Sequence, residues 1–338
     1  MKAWTIQTHD QLNGLQLTDF PDAQPELGEV LVRVNAVSLN YRDLLAVTEH
    51  RPGNLKAPLV PCSDGAGEVV AVGPGVTRFV PGDRVMGLFF RDWIDGRFAM
   101  KYHKAAGGGS IHGWLRESLT LPEHALVKVP DHLSMEEAAT LPCAAVTAWQ
   151  ALFTRGQLTA SDTVLALGTG GVSIFVLQLA KAAEARVIIT SSSDEKLARA
   201  QALGAWGVVN YKTTPDWDAE VWKLTDKQGV DHVAEVGGAG TLGKSMNSLA
   251  AGGHLALIGV LTGFGAPDSS LFPLVGRNAR LDGIYVGSRT DFEALNAFLT
   301  RHQIHPVIDR TFAFGEAREA FAHMQSGSHF GKIVIRVS

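Results

Sequence analysis

An alternation of short apolar segments with helix-length segments, from Met135 onward, constrains the fold more than any other feature of the sequence. The apolar segments are rich in Val, Ile and Leu and carry few polar residues, as in TVLALG from Thr163 and ARVIITS from Ala185. Strands that are apolar on both faces are typical of a parallel sheet covered by helices on both sides. Residues 131–287 are therefore predicted to form a doubly wound, parallel α/β domain.

The preceding part of the chain has a different pattern. Val-rich runs broken by Gly, Pro and Asp, such as EVLVRVNAVSL from Glu29, predict packed strands and turns. A long loop is predicted from Gly96 to Trp114, where no period is clear. After Val286, two helical segments and the strand KIVIRVS have too little apolar sequence for a core of their own. Residues 1–130 and 288–338 are therefore predicted to form one β-rich domain, and 338 residues suit two domains.

Charge and cysteine content exclude several classes of protein. A formal net charge of −4 without a Lys/Arg cluster argues against partners such as nucleic acid or an anionic membrane. No apolar run is long enough to cross a bilayer, and the polar start lacks the pattern of a secretory leader, so we expect a cytoplasmic protein. The two cysteines, Cys62 and Cys143, exclude a disulfide framework and a four-cysteine zinc lobe.

The segment GTGGVS, between an apolar strand and a helical pattern, resembles a phosphate-binding turn. Gly168 and Gly170 stand where a GxGxxG fingerprint has its first two glycines, and Ser173 stands at the third place. The first glycine permits a tight turn, and the second lets backbone approach a pyrophosphate. A strand-to-helix turn often contains glycine for geometric reasons alone, but five further alternations follow this one. The sequence therefore predicts a dinucleotide site here.

The end of the next strand bears on which dinucleotide binds. NAD sites usually place an acidic residue there, about 20 residues after the glycines, whereas this chain has Ser192 in the run IITSSSDEK. Hydroxyl groups, with Lys196 one turn later and Tyr211 after the following strand, suit a 2'-phosphate. NADP(H) is therefore predicted in preference to NAD(H). The alternative is that Ser192 and Glu195 form a helix capping box and that Lys196 is an ordinary solvated residue.

Several segments together resemble the medium-chain dehydrogenase/reductase superfamily, and the resemblance covers nearly the whole chain. They are SLNYRDLL, PCSDGAGEVVAVGPGVTRFVPGDRV, LPCAAVTAWQAL, the glycine turn, ALGAWGVVNY and HFGKIVIRV. The resemblance implies a GroES-like catalytic domain, a Rossmann dinucleotide-binding domain and an active site in the cleft between them.

Zinc alcohol dehydrogenases of this superfamily hold a catalytic metal with a Cys, a His of a GHE motif and a later Cys. The matching positions here are Asn40, Ser63 followed by Asp64, and Cys143. One possible ligand remains where a catalytic zinc needs three protein ligands. The resemblance is therefore to the zinc-free quinone oxidoreductase and alcohol dehydrogenase-like branch, and no metal is predicted. An alternative stays open, a rearranged metal site with other ligands: His50, His103 or His112.

The same resemblance implies roles for individual residues. Asn40 and Thr147 would line the nicotinamide pocket, and the backbone of Gly171 and Val172 would contact the pyrophosphate. Other residues would lie along the dinucleotide or over it: Ser192, Lys196 and Tyr211 near the 2'-phosphate, Val236, Gly237, Ile258, Gly259 and Val260 at two strand ends, and Phe330 and Lys332 in the tail. The resemblance also implies a homodimer formed through edge strands near ARLDGIYVG.

Together these features predict an NADPH-dependent oxidoreductase that transfers hydride to a quinone or an α,β-unsaturated carbonyl without a metal. Conjugation spreads the arriving charge, whereas reduction of a simple ketone would lose the stabilisation that a metal gives to an alkoxide. We expect Asn40, Tyr41 and Thr147 to orient the acceptor, and either water or Tyr41 to supply the proton. Two alternatives stay open, an alcohol dehydrogenase with a non-standard zinc site and a protein that binds NADPH without turnover.

Overall fold

The structure, a computed structural model, describes residues 1–8, 10–22, 24–49, 57–263, 265 and 269–338. The strands in these ranges are β1 Lys2–Ile6, β2 Leu15–Asp19, β3 Glu29–Ser38, β4 Asp64–Val72, β5 Arg84–Gly87, β6 Ser118–Pro122, β7 Leu126–Lys128, β8 Thr163–Leu167, β9 Arg186–Ser191, β10 Gly207–Asn210, β11 Val230–Glu235, β12 Leu249–Leu257, β13 Arg280–Gly283, β14 Ile308–Ala313 and β15 Lys332–Arg336.

The α-helices in the same ranges are mostly short. They are α1 Tyr41–Thr48, α2 Met135–Ala139, α3 Val146–Trp149, α4 Gly171–Ala182, α5 Asp194–Leu203, α6 Trp217–Leu224, α7 Leu242–Ser248, α8 Phe272–Gly276, α9 Arg289–His302 and α10 Ala317–Gln325. Two π-helical segments, Leu141–Ala145 and Gln150–Thr154, flank α3. None of the helices in the described ranges is long and apolar enough to span a membrane.

The described residues group into two units. The first comprises Met1–Val146 with Gly287–Ser338, and the second comprises Thr147–Val286. The domain boundaries expected from the sequence, near residues 130 and 288, stay a prediction.

The second unit contains a six-stranded parallel sheet with the order β10-β9-β8-β11-β12-β13. Counted from β8, this is the order 3-2-1-4-5-6 of the doubly wound Rossmann fold. Every residue of β8 is buried, as are Ile174, Phe175 and Val176 of α4. Strands with two apolar faces need helices on both sides to cover them. The predicted α/β class and Rossmann domain are therefore confirmed.

The first unit contains a seven-stranded sheet with the order β14-β15-β3-β4-β5-β7, and β6 pairs with β3. The pair β14 and β15 is parallel, and β15 runs antiparallel to β3 with Val334 opposite Ser38. The last strand of the chain thus lies beside β3 in the GroES-like fold. This pairing carries Lys332, at the start of β15, to the end of β3, where α1 begins.

The predicted loop from Gly96 to Trp114 contains one short 3-10 turn, Met100–Ala105, and otherwise little regular structure. It is nevertheless tightly packed at its end. The indole of Trp114 lies against β4 and β5, where a Cβ added at Gly65 or Gly87 would be 2.3 or 2.4 Å from the ring. The two glycines therefore leave the space that this buried tryptophan fills.

Candidate active site and nucleotide site

The turn after β8 has two glycines that are required for different reasons. Gly168 has a φ of 73°, in the left-handed region that favours glycine. Gly170, the residue before α4, has an ordinary φ of −78°. Apart from its two chain neighbours, no described protein atom lies within 4 Å of the position that a Cβ would occupy there. The protein itself therefore does not require glycine at position 170. The open space suits a bound group that approaches the backbone closely.

The start of α4 suits an anionic group at this place. The first N–H groups of an α-helix have no partner within the helix, and the helix dipole favours negative charge there. Gly171 and Val172 are the first two residues of α4, and both are half-buried. The helix start and the space at Gly170 together fit the pyrophosphate of a dinucleotide.

Ser173, at the third place of the fingerprint, is buried and packs α4 against β8. Its hydroxyl donates to the carbonyl oxygen of Leu167, the last residue of β8, at 2.6 Å. A second hydroxyl, that of Thr190 in β9, accepts from the backbone N–H of Gly168 at 3.2 Å. These two side chains hold the turn between its neighbouring elements, so serine meets the requirement for a small residue.

Two of the residues expected at a 2'-phosphate, Ser192 and Tyr211, directly follow the neighbouring strands β9 and β10. The backbone N–H of Tyr211 donates to the carbonyl oxygen of Ser191 at 3.0 Å, so Tyr211 follows β10 beside the end of β9. Ser192 is half-buried directly after β9, and Tyr211 is exposed. Lys196 is half-buried in the first turn of α5.

The capping residue of α5 is Ser193, which corrects the alternative interpretation of Ser192. The hydroxyl of Ser193 accepts from the backbone N–H of Lys196 at 3.3 Å. Asp194, whose charge would oppose a phosphate, accepts from the side-chain amide of Asn210 at 2.6 Å. Ser192 therefore does not cap this helix.

Glu235, at the end of β11, holds the next strand-end loop and was not identified from the sequence. One carboxylate oxygen accepts from the backbone N–H of Gly237 at 2.7 Å and of Gly238 at 2.9 Å, and from the Thr241 hydroxyl at 2.7 Å. The neighbouring loop after β12 lies close, because a Cβ at Gly259 would be 2.2 Å from the carbonyl oxygen of Val236. The remaining predicted residues there are half-buried: Ile258 and Val260.

In the first unit, Asn40 precedes α1, but its side chain does not cap the helix. The carboxylate of Asp43 instead accepts from the backbone N–H of Asn40 at 2.9 Å. Its other oxygen accepts from the backbone N–H of Ser63 at 3.2 Å and from Arg42 at 3.0 Å. Asp43, which is fully buried, thus fixes the start of α1 against the start of β4. An acidic residue three positions after a helix N-cap is the signal that identifies this role.

The Asn40 side chain belongs to a buried polar network. Its Oδ1 accepts from the ammonium of Lys332 at 2.6 Å, and its Nδ2 donates to Ser63 Oγ at 3.4 Å. Ser63 in turn donates to Asp64 Oδ1 at 2.8 Å, and Asp64 Oδ2 accepts from the backbone N–H of Cys143 at 3.1 Å. Asn40, Ser63 and Cys143, which the resemblance aligns with metal ligands, are therefore joined through Asp64 in one hydrogen-bond network. This network also contains Lys332.

The donor groups of this network do not fit a catalytic zinc site. Burial raises the pKa of the Asp64 carboxyl to about 6, although the Lys332 ammonium opposes this shift. Burial also raises the pKa of the thiols of Cys62 and Cys143 well above the ordinary value. Asn40 and Ser63 offer an amide and a hydroxyl, which are not usual zinc ligands.

Across the described ranges, no group of three or more His, Cys, Asp or Glu side chains is placed to hold a metal ion. Of the histidines considered for a rearranged site, His112 accepts from the backbone N–H of Val60 at 3.2 Å. The ring of His103 packs edge-on against Phe98 at 5.1 Å. His50 lies outside the described residues.

Tyr41 and Thr147, the other residues expected to orient an acceptor, differ in exposure. Tyr41, the first residue of α1, is 40% exposed, whereas Asn40 is 8% exposed. Thr147 lies on α3 in the second unit and is 3% exposed.

The two tail residues expected over the dinucleotide have partners within the first unit. The Phe330 side chain is buried, and its backbone N–H donates to Asp309 at 3.0 Å. Lys332 is 3% exposed and bonded to Asn40. Their contact with a dinucleotide stays a prediction.

Comparison with known proteins gives a consistent result over most of the chain. Residues 26–131 match the family model described as alcohol dehydrogenase GroES-like domain, and residues 171–301 match the one described as zinc-binding dehydrogenase. A zinc-type alcohol dehydrogenase-like protein of Schizosaccharomyces pombe is 44% identical, over 97% of this chain and 98% of the relative.

A solved structure of a candidate alcohol dehydrogenase from Sinorhizobium meliloti has a TM-score of 0.93 and 43% identity, and covers 99% of this chain and 98% of that one. An acryloyl-coenzyme A reductase of Metallosphaera sedula is 28% identical, over 99% of each chain.

Proposed function

The chain belongs to the medium-chain dehydrogenase/reductase superfamily and is an oxidoreductase, and from that premise we propose that it transfers hydride from NADPH to an α,β-unsaturated carbonyl or a quinone without a metal. The observation that carries the proposal is the buried network of Asn40, Lys332, Ser63 and Asp64. This network provides an ammonium and hydrogen bonds at the positions where zinc relatives have metal ligands.

The proposed mechanism uses no Lewis acid, and this determines whether an isolated or a conjugated carbonyl is the better acceptor. An isolated ketone builds its negative charge on one oxygen, which zinc stabilises in metal-dependent enzymes. A conjugated acceptor distributes the charge over several atoms, so positioning and a few hydrogen bonds are sufficient. The acryloyl group named for the Metallosphaera sedula relative is an acceptor of this conjugated kind.

The features of the second unit support a dinucleotide, and specifically NADPH. When bound, the reduced nicotinamide supplies the hydride. The space at Gly170 and the start of α4 suit the pyrophosphate. Ser192, Lys196 and Tyr211 supply hydroxyl groups and a cation for the 2'-phosphate, and no acidic residue ends β9.

Asn40, Tyr41 and Thr147 have the orienting roles in this proposal. The Asn40 amide offers N–H groups that stabilise charge on a carbonyl oxygen. Hydride is added to the β carbon of an enone and a proton to the α carbon, from water or from the exposed Tyr41 hydroxyl. For a quinone, the same addition gives a cyclohexenedione, which tautomerises to the hydroquinone.

We also propose a homodimer formed through β13. This strand ends the strand order of its sheet, and large apolar side chains are exposed just before it, on and beside α8: Leu271, Phe272 and Val275. Light scattering after size exclusion tests this, with twice the 36.1 kDa chain mass expected. A mass of one chain at micromolar concentration would contradict it.

The product formed from one enone tests the proposed reaction. The protein is incubated with cyclohex-2-enone and NADPH deuterated at C4, with both stereochemical forms tested, and the products are identified by mass spectrometry and NMR. Saturated ketone with deuterium at the β carbon is the expected product. Allylic alcohol with deuterium at the carbinol carbon would support an alcohol dehydrogenase instead. Tight NADPH binding without turnover across enones and quinones would support a non-catalytic binding protein.

A further inference from the structure

Lys332 is almost completely buried and makes two short hydrogen bonds, with two consecutive residues. From the start of β15 its ammonium donates to the carbonyl oxygen of Leu39 at 2.6 Å and to Asn40 Oδ1 at 2.6 Å. Both acceptors lie at the junction between β3 and α1. The lysine charge is therefore directed at the residue that the proposed function assigns to the acceptor.

The chemistry of the two groups fixes which way the Asn40 amide points. An ammonium has three donors and no acceptor, so only the amide oxygen can face it. The Nδ2 end must then point away from Lys332. Nδ2 carries two N–H groups, which face the Ser63 hydroxyl at 3.4 Å and the buried Asp64 carboxyl. The bond to Ser63 is long, so its N–H is the donor that a bound carbonyl oxygen can take over.

A neighbouring positive charge also changes the strength of that donor. A hydrogen bond received by the amide oxygen polarises the amide, and in a low-dielectric interior such bonds reinforce one another. The charge of Lys332 is opposed inside the same unit, where it interacts with the buried Asp64. A bound ligand is therefore not required to neutralise it.

We propose that Lys332 is a positioning residue that fixes the Asn40 amide with its N–H end toward the acceptor's carbonyl oxygen. This inference rests on the proposed function, since it gives Asn40 a partner in the reaction. Lys332 itself does not touch the acceptor. Its effect on turnover acts through Asn40.

A double-mutant cycle tests this dependence. Lys332→Met, Asn40→Ala and the double variant are compared with the wild type by kcat for an enone and by KM for NADPH. We expect Lys332→Met to lower kcat at least tenfold, and to change kcat more than the KM for NADPH, which also reports the contact with the dinucleotide that the resemblance implies for Lys332. In the Asn40→Ala background the same substitution is expected to change kcat less than twofold. An equal loss in both backgrounds, or no loss in either, would overturn the proposal.

Ser38→Ala is the matched control for damage to the strand pair. The Ser38 hydroxyl donates to the carbonyl oxygen of Ile333 at 3.0 Å, so it joins β3 to β15 without contact to Asn40. We expect its kcat to stay within twofold of the wild type. A loss equal to that of Lys332→Met would assign the effect to the strand pair and overturn the proposal.

Asn40→Asp keeps the test decisive if Lys332→Met does not fold. A carboxylate at position 40 still accepts from Lys332, so the buried ammonium keeps its partner, but the N–H groups are lost. We expect a folded protein with kcat lowered about a hundredfold, as for loss of one oxyanion donor. Full turnover in this variant would contradict the assigned orientation.

The side-chain amide signals of Asn40 in an NMR spectrum give a readout that does not need activity. The signals are assigned by their loss in Asn40→Ala. Lys332→Met is expected to shift them, and Ser38→Ala is expected to leave them in place. If the wild type reduces no acceptor, the proposed function fails while these signals still decide whether Lys332 fixes the amide. Unmoved signals in Lys332→Met would overturn the inference.

Discussion

The hydroxyl of Ser173 donates to the carbonyl oxygen of Leu167 at 2.6 Å, so a side chain ties α4 to the strand that precedes it. Helix and strand must lie close here for the glycine turn to keep its shape. Serine fits because it is small and because its buried hydroxyl has an acceptor.

The first prediction concerns this contact. Ser173→Ala removes one buried hydrogen bond and should lower the free energy of unfolding by about 1 kcal/mol. Ser173→Val adds volume to a packed interface, so it should lower the free energy of unfolding by a further 1–3 kcal/mol, roughly, relative to Ser173→Ala. It should also weaken NADPH binding. Urea unfolding followed by tryptophan fluorescence measures both. Equal stability of the two variants would contradict tight packing at this position.

The second prediction separates the two glycines of the turn. Gly168→Ala forces a Cβ into a φ of 73° and should destabilise the protein by about 1 kcal/mol or more. Gly170→Ala meets no such strain and should leave stability within about 1 kcal/mol of the wild type. Its Cβ would enter the space that we propose for the pyrophosphate, so NADPH affinity should fall at least tenfold. Unfolding curves and NADPH fluorescence titration check the pair. Unchanged affinity in Gly170→Ala would place the pyrophosphate elsewhere.

The third prediction concerns the choice of NADPH. Lys196→Ala removes a cation from the proposed 2'-phosphate site, and one charge-assisted contact of about 1.4 kcal/mol corresponds to a tenfold change in affinity. We expect the KM for NADPH to rise about tenfold and the KM for NADH to stay within twofold. Lys223→Ala is the control, because Lys223 lies on α6 and pairs with Glu220. A parallel rise for both nucleotides would remove Lys196 from phosphate recognition.

The fourth prediction concerns the pH dependence of stability. The pKa of Asp64 is raised from 3.8 to about 6 in the folded protein, mainly by burial and with Asp43 adding to the rise. Lys332 and hydrogen bonds from Asn40 and Ser63 oppose the shift. The folded state then holds a proton that the unfolded chain releases, so stability falls as the pH rises from about 4 to 6.

Asp64→Asn removes this titration while keeping an acceptor for the N–H of Cys143. The free energy of unfolding of the wild type, relative to that of Asp64→Asn, should decrease by about 2 kcal/mol between pH 4 and 6.5 and be nearly constant above about pH 7. Urea unfolding at several pH values measures the difference. Parallel curves across this range would show that Asp64 titrates at its ordinary pKa.

The local parts of the site could be predicted from the sequence, because strand periodicity and turn chemistry depend on neighbouring residues. The glycine turn, α4 and the order of apolar strands are of this kind. The capping of α5 by Ser193 was missed by one position, since three consecutive serines, Ser191 to Ser193, offer the same chemistry. The helical pattern around Pro142 gave no sign of the π-helical segments.

The contacts of the polar network could not be predicted, because they depend on pairing of distant segments. Lys332 and Asn40 are 292 positions apart and meet only because β15 pairs with β3. No pattern within either segment specifies that register. A lysine directly before the apolar run IVI of β15, and Glu235 at the end of β11, were the available signals that a buried charge has a structural or chemical task.

The most direct test of the metal-free mechanism is the rate of NADPH oxidation with an enone by protein stripped of metal. The protein is treated with a strong chelator, its zinc content is measured, and the rate is compared before treatment, after treatment and after zinc is added back. A metal-free mechanism predicts the same rate in all three samples, with less than about a tenth of a zinc ion per chain in the stripped sample. A rate that disappears with the metal and returns with zinc would contradict the metal-free mechanism.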